Sequence, residues 1–339
     1  MILYYRSPTE AIKLKEIWIS TLSAYTKNRR QKTNTTTTEA CPFLKWAGGK
    51  TQLLDAIDER LPAPIKESGR IHRYVEPFVG GGAVFFHLQR RYEIGEAFLF
   101  DINRDLIVGY QVLKQDHEAL IGQLSELETE FLGKSQEDRK TQFYQIRDIY
   151  NTQMIEFDYT RYSKEWIDRA TFLIFLNKTC YNGLFRQNKK GEFNVPYGRY
   201  VNPTICDEEN LRAGHQALQH SRVFCDEFTA AGEYIDNRTF VYFDPPYRPL
   251  NATSGFTGYF KDDFDDTDQR ELAQFFQDMD TRGADLLLSN SDPQNINPED
   301  TFFDDLYKGY RIKRVPAKRF INCDGKKRGD VNELLIRNY

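Results

Sequence analysis

Along the middle of the chain, short apolar runs alternate with longer stretches in which apolar residues recur every three or four positions. The run IHRYVEP (71–77) leads into a glycine-rich turn, and AVFFHLQRR (83–91) follows with helical spacing. The run AFLF (97–100) ends at Asp101, and another stretch of helical spacing follows it. Strand, turn, helix and strand in this order predict a βαβ unit and therefore a parallel sheet.

Further apolar runs extend the sheet towards the end of the chain. We expect strands in SRVFC (221–225), TFVYF (239–243) and ADLLLSNSD (284–292), and late strands in YRIKRVPAKR (310–319) and VNELLIRNY (331–339). Residues 110–176 show helical spacing, whereas residues 181–200 are rich in Gly, Asn and Pro and predict a loop or hairpin. The predicted fold class is α/β, with a helical insert of about a hundred residues interrupting the sheet.

The chain divides into regions of different character. Residues 1–40 contain a short amphipathic pattern at Ala11–Tyr25 and then KNRRQKTNTTTTEA, and we expect a poorly ordered extension and linker. Residues 41–110 and 215–339 carry the predicted sheet and are assigned to one catalytic domain. Residues 111–214 are assigned to the helical insert.

Composition limits the classes of protein that fit. Of the 339 residues, 40% are hydrophobic and 14% aromatic, which indicates a globular protein with a substantial core. No apolar run approaches the ~18 residues of a membrane span, so no membrane partner is expected. The five cysteines form no CxxC pair and the five histidines show no metal spacing, so no metal site is predicted. We expect a protein of the reducing cytoplasm.

The net charge of −4 conceals two basic segments. Residues 311–328 contain eight basic residues and one acid, and residues 178–200 contain five basic residues and one acid. Local basic surfaces on an acidic protein favour a DNA partner that is held on one face. Ordinary solvated charge is the alternative explanation.

The glycine-rich turn after the first strand is a candidate ligand site. Glycines let the backbone approach a ligand closely, and a helix N-terminus follows. The run GGGAVF does not match the GxGxxG pattern that holds a pyrophosphate. Asp101 lies about twenty residues after Gly80, the spacing at which an acid accepts hydrogen bonds from ribose hydroxyls. These features indicate a nucleoside-bearing cofactor such as S-adenosylmethionine, with a tight turn and a helix-capping Asp as the alternative.

The segment DPPY (244–247) follows the run TFVYF, which places Asp244 at the carboxyl edge of the sheet, where open α/β sheets bind ligands. Two prolines stiffen the turn and fix the Pro245 carbonyl beside the carboxylate. Two adjacent acceptors suit the exocyclic amino group of a flipped base, because hydrogen bonds to both would free its lone pair to attack a methyl sulfonium. Tyr247 can stack on that base. A stiff loop with a capping Asp is the alternative.

Four motifs occur in one order along the chain: FLKWAGGK (43–50), EPFVGGGAVF (76–85), FDIN (100–103) and FDPPY (243–247). In these motifs the chain resembles the Dam-type DNA adenine-N6 methyltransferases, the α-group of amino methyltransferases, from about Phe43 to its end. The resemblance implies a seven-stranded, Rossmann-like sheet that uses S-adenosylmethionine. It also implies a helical target-recognition insert at 111–214 and an adenine flipped out of duplex DNA.

The resemblance further implies roles for individual residues. Trp46 and Lys50 are expected at the methionine end of the cofactor, with Lys50 near its carboxylate, and Asp226 at its adenine amino group. The implied catalytic set is Asp244, Pro245, Pro246 and Tyr247. The implied cofactor-binding set is Trp46, Lys50, Phe78, Gly80, Gly82, Asp101, Asp226 and Asp244.

The segment NKTCYNGLFRQNKKGEFNVPYGRY (177–200) is similar to the target-recognition hairpin of methylases that act on 5′-GATC-3′. The similarity implies that Arg186 reads O6 and N7 of a guanine, with a phosphate contact as the alternative. Lys45 is expected at the other guanine. Leu184 and Pro196 are expected to pack on the thymine methyl group.

Other residues of the same hairpin are assigned to the flipped base and the DNA backbone. Tyr181, supported by Asn182, is expected to fill or flank the space that the adenine leaves. Arg199 is expected to bind phosphate. The implied DNA-binding set is Lys45, Tyr181, Asn182, Leu184, Arg186, Pro196 and Arg199.

The predicted function is transfer of a methyl group from S-adenosylmethionine to N6 of adenine in duplex DNA, at 5′-GATC-3′, by a monomer. The same chemistry on cytosine N4 or on an RNA adenine is the alternative within the enzyme class. A DNA-binding regulator that has lost catalysis is the alternative from another class. The expected partner is double-stranded DNA. The enzyme serves either a restriction–modification system, with a cognate restriction endonuclease as its functional partner, or housekeeping methylation.

Overall fold

The computed structural model describes residues 39–248, 264–318 and 330–339. The strands in these ranges are β1 Arg70–Glu76, β2 Glu93–Asp101, β3 Ser221–Cys225, β4 Thr239–Phe243, β5 Asp285–Ser291, β6 Arg311–Lys318 and β7 Asp330–Arg337. They form one seven-stranded sheet in the order β3-β2-β1-β4-β5-β7-β6. β1 to β5 run parallel, and β7 runs antiparallel to both β5 and β6. The predicted α/β class and the seven-stranded sheet are confirmed.

Helices cover both faces of this sheet. Their bounds are α1 Leu54–Glu59, α2 Ala63–Ser68, α3 Ala83–Arg91, α4 Arg104–Gln115, α5 His117–Leu132, α6 Gln136–Gln153, α7 Lys164–Thr179, α8 Glu208–Ala217, α9 Asp266–Thr281 and α10 Phe302–Leu306. Short 3-10 turns lie at Tyr181–Gly183, Phe228–Tyr234 and Pro293–Asn295. Side-chain caps mark several helix starts: Ser135 before α6, Ser163 before α7 and Asp265 before α9 each accept a backbone N–H of the first turn.

Alternation along the strands divides the core between the two faces. Tyr74 and Tyr242 belong to the core shared with α3 to α8. Val75 and Val241 belong to the core shared with α9 and α10. Since side chains alternate along a strand, a sheet covered on both faces has continuously apolar strands. All five residues of TFVYF are buried accordingly, which is why this run was recognisable in the sequence.

The predicted helical stretch at 110–176 is confirmed as α4 to α7. α7 is buried at most of its positions and packs against α4, α5 and α6. The predicted domain boundaries at 110/111 and 214/215 fall inside α4 and α8, two helices that pack on each other. The division into domains stays a prediction.

Parallel strands bring distant parts of the sequence to one edge of the sheet. The glycine turn follows β1, Asp101 closes β2 and Asp244 follows β4 directly. These strands are neighbours, so the three features share the carboxyl edge. The amphipathic pattern at Ala11–Tyr25 and residues 319–328 of the basic segment lie outside the described residues.

Candidate active site

The glycine turn has the backbone shape that only small residues adopt easily. Gly80 has φ +48° and Gly82 has φ +73°, both in the left-handed region. A Cβ on Gly82 would lie 2.5 Å from the hydroxyl oxygen of Tyr110, and one on Gly80 would lie 3.1 Å from Cδ1 of Trp46. The turn is therefore closed on one side by Trp46, the residue that the sequence assigned to the same site.

Asp101 lies beside this turn as a buried carboxylate. Its Oδ2 accepts the Gly80 N–H at 3.0 Å, and its Oδ1 accepts the Asn103 N–H at 2.8 Å. Burial raises the pKa of Asp101 to about 6, although both backbone bonds oppose that rise. The cap of α4 is Asn103, whose side chain accepts the Leu106 N–H. The helix-capping alternative for Asp101 is therefore wrong.

Asp244 and Lys50 form a buried ion pair at the end of β4. Lys50 Nζ lies 2.5 Å from Asp244 Oδ1, with the two side chains 4% and 18% exposed. Burial raises the pKa of Asp244, opposed by the Lys50 charge. Burial lowers the pKa of Lys50, but Asp244, Tyr247 and Glu333 together outweigh burial and raise that pKa above its usual range. The expected contact of Lys50 with a cofactor carboxylate stays a prediction.

The contacts of Asp244 leave one of its oxygens available. Ser289 Oγ, from β5, donates to Asp244 Oδ1 at 3.1 Å. Tyr242 OH lies 2.8 Å from the same hydroxyl and extends the network into the core. Within the described residues, the partners of Asp244 are all on Oδ1, and Oδ2 has none. A free carboxylate oxygen at the rim of the sheet can accept one further hydrogen bond.

Tyr247 is anchored by a residue that the sequence analysis missed. Its hydroxyl lies 2.9 Å and 2.8 Å from the two carboxylate oxygens of Glu333 on β7 and donates to this carboxylate. Its ring lies with its centroid 4.6 Å from Lys50 Nζ, yet Tyr247 remains 39% exposed. Pro245 is buried, and the Pro246 carbonyl accepts a bond from Gln269 on α9. The DPPY segment is thus held at several points and still presents an aromatic ring.

The remaining cofactor candidates have different environments. Phe78 is half-buried and stacks on Phe228, with ring centroids 5.5 Å apart. Asp226 is exposed, and its carboxylate accepts the N–H of Glu227 at 2.9 Å. It directly follows β3, whose last residue pairs with Asp101, so it shares the carboxyl edge. Their predicted roles stay predictions.

Residues 179–198 form the irregular hairpin that the sequence suggested. The Tyr181 N–H donates to the Pro196 carbonyl at 2.8 Å, and the Gly198 N–H donates to the Thr179 carbonyl at 2.9 Å. Arg186 is exposed and donates through Nε to Oδ1 of Asn194 at 2.8 Å. That bond orients the guanidinium while leaving its two terminal nitrogens outside it.

The other hairpin candidates are mostly at the surface. Tyr181 is 57% exposed, and Asn182 adopts φ +59°, a left-handed backbone that Asn tolerates better than most residues. Lys45, Pro196 and Arg199 are exposed as well, whereas Leu184 is half-buried and packs on the core. These side chains are available to a partner.

One basic residue of the C-terminal segment is not available in this way. Arg314 forms ion pairs with Asp292 at 2.8 Å and with Asp304 at 2.7 Å. The segment 311–328 is therefore less basic in the fold than its sequence suggests, because two aspartates compensate Arg314. The reason was invisible in the local sequence, since Asp292 and Asp304 lie on other segments.

The described residues contain no group of His, Cys, Asp or Glu side chains placed to hold a metal ion. Nor does any helix within them have the length and apolar character needed to cross a membrane.

Comparisons with known proteins place the chain in a family. The family model of D12 class N6 adenine-specific DNA methyltransferases matches residues 46–321. The chain is 52% identical to the type II methyltransferase M.MjaIII of Methanocaldococcus jannaschii, over 89% of this chain and 100% of that protein. It is 33% identical to the type II methyltransferase M1.LlaDCHI of Lactococcus lactis subsp. cremoris, over 88% of this chain and 95% of that protein. It is also 33% identical to the DNA adenine methylase of Escherichia coli K12, over 86% of this chain and 93% of that protein.

The chain therefore belongs to the D12 class of N6 adenine-specific DNA methyltransferases. The predicted enzyme class is confirmed, and methyltransferases of this family use S-adenosylmethionine.

Proposed function

We propose that this enzyme methylates N6 of adenine at 5′-GATC-3′ in duplex DNA, after flipping the adenine into the pocket formed by DPPY. The observation that carries the proposal is Asp244 at the carboxyl end of β4, whose Oδ2 accepts no hydrogen bond from the described residues, beside the exposed ring of Tyr247. A carboxylate oxygen and a neighbouring aromatic ring suit an amino group on a flat base. The Pro245 carbonyl is the proposed second acceptor.

The residues present fit S-adenosylmethionine as the cofactor. The glycine turn allows close backbone approach, and Asp101 is a buried acceptor suited to ribose hydroxyls. Lys50 provides an ammonium that suits a carboxylate, and Trp46 and Phe78 provide apolar surface. When bound, the cofactor supplies an electrophilic methyl group. Asp226 is the proposed acceptor for its adenine amino group.

The chain's own residues then prepare the target amino group. Hydrogen bonds to Asp244 Oδ2 and to the Pro245 carbonyl localise the lone pair on N6, which in free adenine is delocalised into the ring. Tyr247 holds the base by stacking. Positioning and fixed dipoles supply the rate enhancement.

Recognition is assigned to the hairpin and to Lys45. Asn194 fixes Arg186 through Nε, so both terminal nitrogens can donate to O6 and N7 of a guanine. Lys45 is proposed at the other guanine, and Leu184 and Pro196 at the thymine methyl. Tyr181, with Asn182, is proposed to occupy the gap left by the adenine, and Arg199 to bind phosphate. The name of the relative from M. jannaschii favours a restriction–modification setting.

The test uses unmethylated plasmid, the purified protein and S-adenosylmethionine, followed by single-molecule sequencing of modified bases. We expect N6-methyladenine confined to GATC. N6-methyladenine at another site would contradict the recognition roles of Arg186, Leu184 and Pro196 and leave the DPPY pocket standing. N4-methylcytosine, or modification of RNA only, would contradict the proposed substrate.

The affinity for S-adenosylmethionine is expected to fall as the pH drops below about 6, the pKa of Asp101 in the free protein. Ribose hydroxyls donate to the carboxylate form, so binding at lower pH requires the loss of one proton. The association constant should then fall about tenfold per pH unit. Calorimetric titration on both sides of that pH measures the effect. Asp101→Asn should bind weakly without this dependence, and a wild-type affinity that is flat with pH would contradict the assignment.

Glu333 is expected to matter through Tyr247. Glu333→Gln and Tyr247→Phe each weaken or remove the bond that fixes the ring, and a hydrogen bond to a charged group contributes ~1.5–3 kcal/mol. We expect each variant to lower kcat/KM by at least about tenfold. Because both changes act on one bond, the double variant should be no slower than the slower single variant. Independent, multiplying losses would show that Glu333 acts by another route.

A further inference from the structure

One buried side-chain amide connects two segments: the segment around Lys45 and Trp46, which leads to the cofactor site, and the recognition hairpin. Asn177, in the last turn of α7, is 1% exposed. Its Oδ1 accepts the Lys45 N–H at 2.9 Å, and its Nδ2 donates to the Lys45 carbonyl at 2.9 Å. The same Nδ2 donates to the Gly183 carbonyl at 3.0 Å. A single side chain therefore holds the backbone of both segments.

Side-chain packing joins the same two segments independently. The Trp46 ring stacks on the Phe185 ring, with centroids 4.9 Å apart and planes 18° from parallel. Trp46 also packs closely on the glycine turn, where a Cβ on Gly81 would lie 3.1 Å from the Trp46 Cβ. Trp46 thus contacts both the glycine turn and Phe185, the residue that precedes Arg186.

We propose that Asn177 is a positioning residue that couples occupancy of the cofactor site to the geometry of the recognition hairpin. The inference rests on the proposed function of the two segments. If Lys45 and Trp46 move when the cofactor binds, the hairpin backbone at Gly183 must follow, because the alternative leaves buried polar groups without partners. Bound cofactor therefore raises the affinity for DNA that carries the recognition site.

Linkage makes this coupling measurable from either side. If bound cofactor raises the affinity for DNA by some factor, bound DNA raises the affinity for the cofactor by the same factor. For the wild-type enzyme we expect a factor within the ~5–150-fold range usual for coupled sites. DNA without the recognition site should show a smaller factor, because its contacts are with phosphates and do not require the hairpin geometry.

The chain provides a matched control in Asn151 of α6. Its Oδ1 accepts the Phe193 N–H at 2.8 Å, and its Nδ2 donates to the Phe193 carbonyl at 3.1 Å. It therefore clamps the opposite strand of the same hairpin by the same chemistry. Among the described residues it has no hydrogen bond to the segment that contains Lys45 and Trp46.

The experiment measures the affinity of sinefungin, a cofactor analogue without a transferable methyl group, with and without a duplex carrying the site found by sequencing. Asn177→Ala is expected to bring the ratio of the two affinities close to one. Asn151→Ala is expected to weaken DNA binding with and without the analogue and to keep the wild-type ratio. Asn177→Ser and Phe185→Leu are measured beside them, the second disrupting the stack on Trp46 while sparing the amide. Thermal unfolding checks that each variant is folded.

Each result bears on the inference. An Asn177→Ala enzyme with the wild-type ratio would overturn it, as would equal loss of the ratio in the Asn177 and Asn151 variants. If Asn177→Ala fails to fold, the ratio of sinefungin affinities with and without the duplex is compared in Asn177→Ser and Phe185→Leu. A wild-type ratio in Asn177→Ser would then overturn the inference. A wild-type ratio of one would also overturn the inference, while methylation at GATC would still stand. If sequencing reveals another site, that duplex is used and the coupling is tested unchanged.

Discussion

Asp244→Asn is expected to lower the turnover number for DNA methylation by about 10²–10³-fold, the scale of losing a preorganised group that contacts the reacting atoms. The amide has nearly the shape of the carboxylate but carries no charge. Its terminal group can present an NH₂ where Oδ2 would accept a bond from the target amino group. The change also leaves the Lys50 ammonium, 4% exposed, without its charged partner. Both effects act where N6 is proposed to bind.

Single-turnover methylation of a duplex with one site measures this loss, and calorimetry measures cofactor affinity. Cofactor affinity should fall less than turnover, because the change alters the partner of Lys50 but leaves Asp101 and the glycine turn intact. Ser289→Ala is the matched control, since it removes one neutral bond to Oδ1 and keeps the carboxylate. We expect that variant to lose about tenfold in rate. Near-normal turnover of Asp244→Asn would refute the proposed role of DPPY.

The sheet and its functional edge were predictable because their signals are local. A short, continuously apolar run such as TFVYF is typical of a strand buried on both faces, and all five of its residues are buried. The residue that follows such a strand must lie at the carboxyl edge of the sheet. The glycine turn and Asp101 follow the same rule at β1 and β2. Three ligand-facing features could therefore be placed from strand ends alone.

The partners of these features were not predictable, because they depend on contacts between distant segments. Glu333 reaches Tyr247 only because β7 inserts between β5 and β6, an order that strand patterns do not encode. The bond of Ser289 to Asp244 likewise follows from the pairing of β4 with β5. A polar residue within an apolar strand, such as the Ser in ADLLLSNSD, was the one available signal.

The same limit applies to Lys50 and Asn177. The sequence placed Lys50 at the cofactor, and the structure adds its pairing with Asp244, almost two hundred positions away. Asn177 lies at the end of a helix that is buried at most of its positions. Its amide has three backbone partners that only the folded chain brings together. Local patterns locate a site, whereas the contacts that position its residues come from tertiary structure.

The insert that carries the hairpin depends on a second buried ion pair. Arg169 Nε lies 2.6 Å from Asp105 Oδ1, with side chains 1% and 5% exposed. Tyr159 OH donates to the same oxygen at 2.9 Å, and Arg169 Nη1 donates to the Tyr150 carbonyl at 3.0 Å. Asp105 is in the first turn of α4, directly after the Asp101 loop, and Arg169 is on α7. The pair therefore connects the strand-end site to the helix that leads into the hairpin.

Asp105→Ala is expected to lower the free energy of unfolding by ~3–5 kcal/mol, because it leaves a buried guanidinium without its counter-charge. Urea denaturation measures the change. Glu118→Ala is the matched control: its partner Arg212 lies at 2.9 Å, but the side chains are 63% and 46% exposed. Exposed pairs contribute only ~0–1 kcal/mol, since water screens them. A cost for Asp105→Ala no larger than for Glu118→Ala would contradict the structural importance of the pair.

A double variant separates the loss of the pair from the exposure of one charge. Asp105→Leu with Arg169→Met replaces both charges by apolar side chains, and such replacements are often neutral or stabilising. We expect the double variant to be more stable than either single variant. Its methylation rate then shows whether the link between α4 and α7 serves folding alone. A double variant that regains stability but not the methylation rate would mean that the ion pair also sets the orientation of the hairpin relative to the strand-end carboxylates.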